Sequence, residues 1–278
     1  MHVWVDGKLV DADEARVSPN DAGVLVGNGV FETLRVYAGV PFAWTRHMRR
    51  LAHSADGLGL EAPGADALRA AVDDVLQANR LTEGRVRITV TGGPSPLGTE
   101  RGDASPTVIV AASTMAPWPA STAVVTVPWT RNEGGATTGL KTISYGENVR
   151  ALAYARERGG GEAVFANTRG NLCEATGSNV FLALEGRLCT PPESAGCLAG
   201  VTRALVLELC GREEIPAEER DVPIGTLARA DEAFLTSSTR EVQPIDAVDS
   251  KPLPSVPGPL TERVRTAFAD LVTNDSDP

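Results

Sequence analysis

Strict alternation of apolar and polar residues marks the clearest strand of the chain, over residues 85–91. The alternating positions are Val86, Ile88 and Val90 on the apolar face and Arg85, Arg87 and Thr89 on the polar face. Because side chains of a strand point to opposite faces in turn, this pattern predicts a half-buried strand. Its polar face carries two arginines, which makes it a candidate surface for a substrate carboxylate.

Other strands are predicted nearby. The Asp6-Gly7 pair between residues 2–5 and 8–10 is a strong hairpin signal. In the run GNGVFETLRVYAG, Phe31, Leu34 and Val36 indicate a further strand, whose alternate residues Phe31, Thr33 and Arg35 share one face. A short apolar strand is expected over residues 107–112.

Helical spacing appears in three places. Residues 45–58 place Met48, Leu51 and Ala55 on one face, and residues 65–79 and 260–272 show the same period. Residues 113–122, STMAPWPAST, have two prolines, small polar residues and no period, which is typical of a linker. We therefore predict a first domain of residues 1–112 and a second of 123–278, with about 273–278 disordered.

The second domain is predicted to open with a buried strand, a glycine-rich loop and Lys141 at the start of a helix that buries Val149, Leu152 and Ala153. A lysine amine is almost entirely protonated at neutral pH, so imine chemistry requires partial desolvation or nearby cations. Residues 162–172 predict a hairpin, and Glu174 follows it among small uncharged residues. Such a carboxylate is well placed to hold a proton on a buried heteroaromatic nitrogen.

The segment GLKTISYGENV, followed by EATGSNVF with its glutamate 33 positions after the lysine, resembles the fold-type IV pyridoxal-phosphate enzymes. These class IV enzymes include branched-chain aminotransferases, D-amino-acid aminotransferases, R-selective amine aminotransferases and aminodeoxychorismate lyase. The resemblance covers nearly the whole chain. It implies a two-domain α+β or α/β fold, with a small α/β N-terminal domain and a larger pseudo-barrel C-terminal domain.

The resemblance also implies a cofactor, pyridoxal 5'-phosphate, and residues that hold it. Lys141 matches the Schiff-base lysine, and Glu174 matches the carboxylate that pairs with the pyridine nitrogen. The H-x-x-R-L pattern assigns Arg50 to the cofactor phosphate. The further phosphate residues implied are Val201 and Thr202 at a helix start, and Ser238 and Thr239 after a strand.

Substrate contacts are expected from the strand faces described above and from the loops beside them. The candidates are Phe31, Thr33, Arg35, Arg85, Arg87, Arg101 and Tyr145. The resemblance implies transamination between an amino acid, or another primary amine, and a 2-oxo acid. Release of pyruvate from aminodeoxychorismate is the alternative, and a non-catalytic pyridoxal-phosphate-fold binding protein is a remote one. Branched-chain aminotransferases carry a tyrosine five positions after the lysine, where this chain has Gly146.

The composition limits the classes of partner that the protein is expected to bind. The formal net charge of −10 disfavours binding to nucleic acid or an anionic membrane. The spacing of the four cysteines does not resemble paired metal ligands, so no metal site is predicted. With no leader pattern or long apolar run, we expect a cytoplasmic protein that acts on small molecules. The resemblance further implies a homodimer.

Overall fold

The computed structural model describes residues 1–100 and 102–278. One candidate substrate residue, Arg101, lies outside the described residues. The chain divides into two compact units. The first comprises Met1–Ala116, Leu140–Tyr145 and Asp277, and the second comprises Pro117–Gly139, Gly146–Ser276 and Pro278.

The first unit contains a six-stranded antiparallel sheet and three helices. Its elements are β1 (His2–Val5), β2 (Lys8–Asp11), α1 (Ala22–Val26), β3 (Gly29–Tyr37), β4 (Val40–Pro41), α2 (Trp44–Gly57), α3 (Ala65–Ala78), β5 (Gly84–Thr91) and β6 (Val108–Ser113). The strand order is β2-β1-β6-β5-β3-β4. The predicted N-terminal hairpin, the strands over β3, β5 and β6 and the two amphipathic helices are confirmed. The five-residue helix α1 was not predicted.

One face of this sheet packs on α2 and α3, because the apolar residues of β3 and β5 alternate onto the same side. Val30 and Leu34 from β3 join Ile88 from β5 there, and Leu51 and Val72 cover them from the two helices. Each of these side chains is at most 2% exposed. The opposite face of β3 and β5 is therefore left to carry the polar candidates.

The segment that contains Lys141 runs beside the start of β3. Thr142 forms an antiparallel bridge with Val30, and the Phe31 N–H donates to the Lys141 carbonyl at 3.1 Å. The sequence analysis placed residues 140–145 in the second domain, but these backbone bonds make them part of the first unit. The strand pairing could not be read from local pattern because its partners are far apart in the chain.

The second unit is built on a nine-stranded sheet. Its strands are β7 (Thr122–Arg131), β8 (Glu162–Asn167), β9 (Leu172–Ala175), β10 (Asn179–Leu184), β11 (Arg187–Thr190), β12 (Ala217–Glu219), β13 (Glu232–Ser237), β14 (Glu241–Val248) and β15 (Lys251–Pro252). The order is β12-β11-β10-β13-β14-β7-β8-β9, with β15 paired to β14. The predicted hairpin over residues 162–172 is confirmed as β8 and β9, and residues 179–190 form a second hairpin, β10 and β11.

Three helices complete the second unit: α4 (Gly146–Arg156), α5 (Val201–Arg212) and α6 (Pro259–Asn274). The predicted inward face of α4 is wrong. Val149 is 66% exposed, and α4 instead buries Asn148, Ala151 and Ala155, since small side chains let it lie close to β7 and β8.

The last helix, α6, runs to Asn274, two residues beyond the helical pattern read from the sequence. Asp277 then accepts hydrogen bonds from the backbone N–H and the hydroxyl of Thr45 at 2.8 and 2.5 Å. These bonds hold the end of the chain in place.

No helix within residues 1–100 and 102–278 has both the length and the apolar character needed to cross a membrane. The same residues contain no group of three or more histidine, cysteine, aspartate or glutamate side chains suited to holding a metal ion.

Candidate active site

Lys141 lies in an aromatic setting on the first unit. Its amine is 4.3 Å from the centre of the Phe31 ring and 5.9 Å from that of Tyr145. The two rings meet edge to face at 5.1 Å. The Lys141 backbone N–H donates to the hydroxyl of Ser54 at 3.0 Å, which fixes the segment against α2. The amine is therefore half-buried and partly shielded from water, which is the environment that lysine nucleophiles require.

The polar face of β3 and β5 brings further candidates to this lysine. Thr33 pairs with Arg87 across the two strands, and Phe31 pairs with Thr89. The Arg87 guanidinium lies 3.7 Å from the centre of the Phe31 ring, and its Nε donates to the Thr89 hydroxyl at 3.2 Å. Phe31 is thus in contact with both Arg87 and Lys141.

Two other candidates on that face are bound elsewhere. Arg35 donates to the Gly84 carbonyl at 2.8 Å, and its guanidinium pairs with Glu83 at 3.3 Å. Arg85 donates to the hydroxyl of Ser113 at 3.2 Å. The structure therefore brings Phe31 to Lys141 and Arg87 to Phe31, and it directs the side chains of Arg35 and Arg85 to other partners.

Glu32 is a buried carboxylate that the sequence analysis missed. It is fully buried on the core face of β3, where both its oxygens are engaged by α2. His47 Nδ1 lies 2.7 Å from Oε2, and Arg50 donates from Nε and Nη2 at 2.8 and 2.7 Å. The available signal was an acid at an apolar position of the strand period, flanked by Val30 and Leu34.

Electrostatics explains how this carboxylate is tolerated. Burial by itself would raise the pKa of Glu32, but the charges and hydrogen bonds of Arg50 and His47 outweigh it and hold that pKa far below its ordinary value. Burial lowers the pKa of His47, against the opposing attraction of Glu32. Near pH 7 the group is therefore an ionised glutamate, a neutral imidazole that donates from Nδ1, and the Arg50 guanidinium.

Glu174 lies on β9 in the second unit. Its Oε2 accepts a hydrogen bond from the Leu198 backbone N–H at 2.9 Å. Its Oε1 lies 3.5 Å from Nε of Arg131, a residue at the end of β7. The sequence analysis did not single out Arg131, since an arginine at a strand end has no distinctive local pattern.

The start of α5 lies close to Glu174 along the chain, because Leu198 precedes Gly200 by two residues. Gly200 is the N-cap and makes no side-chain capping bond, so the first N–H groups of the helix, including those of Val201 and Thr202, point toward its end. A Cβ on Gly200 would clash with the Asn179 side-chain oxygen unless that side chain moved, so glycine permits this close approach. This is a helix start suited to phosphate.

Ser238 and Thr239 are half-buried and directly follow β13. Thr236 on β13 pairs with Asn179 on β10, whose side-chain N–H donates to the Leu198 carbonyl at 2.9 Å. Asn179 thus links the strand that carries these hydroxyls to the loop that leads into α5.

The donors and acceptors of the second unit fit pyridoxal 5'-phosphate. An uncapped helix start and two half-buried hydroxyl residues suit its phosphate, and a carboxylate that is 15% exposed suits its ring nitrogen. The side-chain hydroxyls of Ser178 and Thr236 are also buried without hydrogen-bond partners, as expected of a site built around a polar ligand.

Comparison with known proteins agrees with this geometry. A family model described as amino-transferase class IV matches residues 29–248. The chain belongs to the class IV aminotransferase family. It is therefore an enzyme of the fold-type IV group that works with pyridoxal 5'-phosphate, which confirms the resemblance and excludes the non-catalytic alternative.

Individual relatives cover almost the full chain. A protein of Methanocaldococcus jannaschii with the provisional name branched-chain-amino-acid aminotransferase is 32% identical over 98% of this chain and 97% of its own. The D-alanine aminotransferase of Bacillus licheniformis is 29% identical over 99% of both chains. The branched-chain aminotransferase of Thermoproteus uzoniensis, solved with norvaline, is 30% identical, with a TM-score of 0.90 over 98% of this chain and 94% of that chain. The predicted fold class is confirmed.

Proposed function

We propose that this class IV aminotransferase moves an amino group from an amino acid, or another primary amine, to a 2-oxo acid, with Lys141 as the residue that bonds to the cofactor. The observation that carries the proposal is the half-buried Lys141 amine beside the rings of Phe31 and Tyr145. Aromatic neighbours limit the access of water to an amine, as imine chemistry requires.

The cofactor supplies an electron sink for the carbanion that forms when the substrate loses its α-proton. The residues of the protein transfer the proton and hold the cofactor. Lys141 is the base that takes this proton and returns it. Glu174 would hold a proton on the ring nitrogen by accepting its N–H. The N–H groups of Val201 and Thr202, with the hydroxyls of Ser238 and Thr239 and the cation of Arg50, would bind the phosphate.

Arg87 is the proposed contact for a substrate carboxylate. It lies 3.7 Å from the centre of the Phe31 ring, which the Lys141 amine approaches at 4.3 Å, and a guanidinium binds a carboxylate with two parallel hydrogen bonds. Because the Phe31 ring contacts both groups, a carboxylate held by Arg87 is separated from the amine by about a side chain. Acidic amino acids and their 2-oxo acids are therefore the favoured substrates.

A donor screen tests the reaction. The purified enzyme is mixed with single D- or L-amino acids or amines, without acceptor, and the absorbance of the cofactor is followed. Conversion to the pyridoxamine form by at least one donor supports transamination, and an acidic donor is expected to convert fastest. If no donor converts it while aminodeoxychorismate alone releases pyruvate, the proposal is wrong.

The lyase reaction is the second candidate. It is favoured by the two arginines on the exposed face of β5, since aminodeoxychorismate carries two carboxylates. Arg87 would bind one of them, and Arg85 would leave the Ser113 hydroxyl, its partner at 3.2 Å, to bind the other. Gly146 also stands where branched-chain aminotransferases carry a tyrosine. Substituting Arg87→Leu tests its contact with the substrate: transamination of acidic donors should weaken at least tenfold in kcat/KM, with apolar donors affected less.

We also propose that the enzyme is a homodimer. Support comes from α1, where Val24, Leu25 and Val26 are 65%, 37% and 48% exposed, an apolar patch that a second copy would cover. Light scattering on the eluting protein measures the mass directly. Val24→Glu should shift the mass from twice that of the chain toward that of the single chain, while a monomeric parent protein would contradict the assembly.

The enzyme is proposed to work in the cytoplasm on small molecules, without nucleic acid. Its four cysteines are all buried and free, which suits a reducing compartment. Fractionation of cells with an antibody against the protein tests this location, and recovery of the protein outside the cytoplasmic fraction would contradict it.

A further inference from the structure

We propose that Arg131 is a positioning residue that keeps the Glu174 carboxylate ionised and aimed for its task at the cofactor ring. The inference rests on the role proposed above for Glu174. Arg131 does not itself need to touch cofactor or substrate, because its effect passes through the carboxylate.

The two oxygens of Glu174 have different neighbours. The backbone N–H of Leu198 donates to Oε2 at 2.9 Å, and Arg131 Nε faces Oε1 at 3.5 Å. Arg131 Nε is buried and makes no hydrogen bond, so its contact with Glu174 is an ion pair at slightly more than hydrogen-bond distance. The side chains of Arg131 and Glu174 are 17% and 15% exposed, which limits screening by water.

Arg131 is itself held on three sides. Its Nη1 pairs with Glu147 in the first turn of α4, and its Nη2 donates to the Asn148 side-chain oxygen at 2.9 Å. The guanidinium lies 4.2 Å from the centre of the Phe165 ring. With both terminal nitrogens engaged and one face covered, the guanidinium is fixed with Nε toward Glu174.

Asn148 also connects α4 to the loop that follows Glu174. The Asn148 side-chain N–H donates to the Thr176 carbonyl at 2.5 Å, and Thr176 is two residues after Glu174. The helix α4 is therefore bonded both to the end of β7 and to the loop after β9. This geometry orients Glu174 before any ligand arrives, which is what an efficient site requires.

Charge gives Arg131 an effect that packing alone would not. A cation within about 4–6 Å favours the ionised form of a carboxyl group by ~1–3 pH units. Titratable groups near Glu174 include the thiols of Cys173 and Cys197, and Glu133 lies near Cys173. Burial raises the pKa of both thiols, so they stay neutral and add no negative charge beside Glu174.

The consequence concerns binding at acid pH. Only an ionised Glu174 forms an ion pair with a protonated ring nitrogen. Without Arg131, Glu174 becomes protonated at higher pH, and the cofactor is then lost at higher pH. Glu147, which partly cancels the charge of Arg131, is 46% exposed and has the opposite, weaker effect.

The experiment uses the full chain with its cofactor removed, into which pyridoxal 5'-phosphate is titrated at pH values from neutral to acid. The variants are Arg131→Met, Arg131→Lys and Glu147→Gln. Arg169→Met is the control, because Arg169 pairs with Glu133 in the same unit and its side chain is 51% exposed. Melting of each cofactor-free variant is followed to confirm folding.

As the pH is lowered, Arg131→Met is expected to lose its affinity for the cofactor at a pH about one unit higher than the parent does. Arg131→Lys and Arg169→Met are expected to lose it at the same pH as the parent. Equal profiles for Arg131→Met and the parent would overturn the inference, as would equal loss in Arg131→Lys, which keeps the charge. If Arg131→Met does not fold, Glu147→Gln provides the test. The pH below which this variant no longer binds the cofactor should be lower than in the parent, and an equal or higher pH overturns the inference. A parent chain that binds no cofactor at any pH would instead refute the proposed function.

Discussion

Replacing Glu32 by glutamine tests the buried network of the first unit. The carboxylate is fully buried and is bonded by His47 at 2.7 Å and by Arg50 at 2.8 and 2.7 Å. Glutamine has nearly the same shape but no charge. Its NH2 group would face donors instead of acceptors, so at least one of the three bonds is lost and Arg50 loses the negative charge of Glu32.

The size of the effect follows from that uncompensated cation. Removing one partner of a buried ion pair costs about 3–5 kcal/mol. The Arg50 side chain is 10% exposed and retains one oxygen acceptor from the glutamine, which favours the lower end. We therefore expect Glu32→Gln to lower the free energy of unfolding by about 3 kcal/mol.

Chemical denaturation of the cofactor-free protein measures this value. The matched control is Glu83→Gln, since Glu83 pairs with Arg35 on the same sheet but is 58% exposed. An exposed pair contributes at most ~1 kcal/mol. If Glu32→Gln destabilises the protein no more than Glu83→Gln does, the account of the buried network is wrong.

The pH dependence supplies a second check. Because the pKa of Glu32 is lowered in the folded protein, its stabilising effect is complete above the ordinary glutamate pKa of 4.5 and is lost as the pH falls below it. The stability difference between the parent and Glu32→Gln should therefore be constant from neutral pH to about pH 5 and shrink at lower pH. A difference that grows on acidification would contradict the sign of the shift.

Three further predictions concern the second unit and the cysteines. Gly200→Ala places a Cβ 1.9 Å from the Asn179 oxygen, so melting should show a loss of ~1–3 kcal/mol and dialysis a weaker retention of cofactor. Glu232→Ala removes the acceptor for the N–H groups of Leu260 and Thr261 at 3.1 and 2.7 Å, which should cost ~1–2 kcal/mol in denaturation. The four buried cysteines should react with a thiol reagent only after unfolding, and rapid reaction of the native protein would contradict their burial.

Local periodicity predicted the elements whose faces differ in polarity. The alternation around Ile88 predicted β5, and the spacing of Leu51 predicted α2, because one side of each is buried. The same reasoning failed on α4, where the exposed Val149 suggested the wrong face. The true contact face is made of alanines and Asn148, whose apolar signal is weak.

Some residues of the candidate site could be predicted from local sequence, and others could not. Lys141 and Glu174 could be proposed because they belong to distinctive local motifs. Glu32 and Arg131 could not, since their roles depend on partners 15 to 43 positions away, His47 and Glu174 among them. A simpler signal was also available: the chain has three lysines, of which Lys8 and Lys251 are exposed and Lys141 is half-buried.

That scarcity of lysine makes one measurement especially direct. The enzyme loaded with cofactor is reduced with borohydride, digested, and analysed by mass spectrometry for the peptide that carries the pyridoxyl group. The label is expected on Lys141, together with loss of the visible cofactor absorbance in Lys141→Ala. A label on Lys8 or Lys251, or an unchanged absorbance in Lys141→Ala, would contradict the assignment of Lys141 as the cofactor-bonding residue.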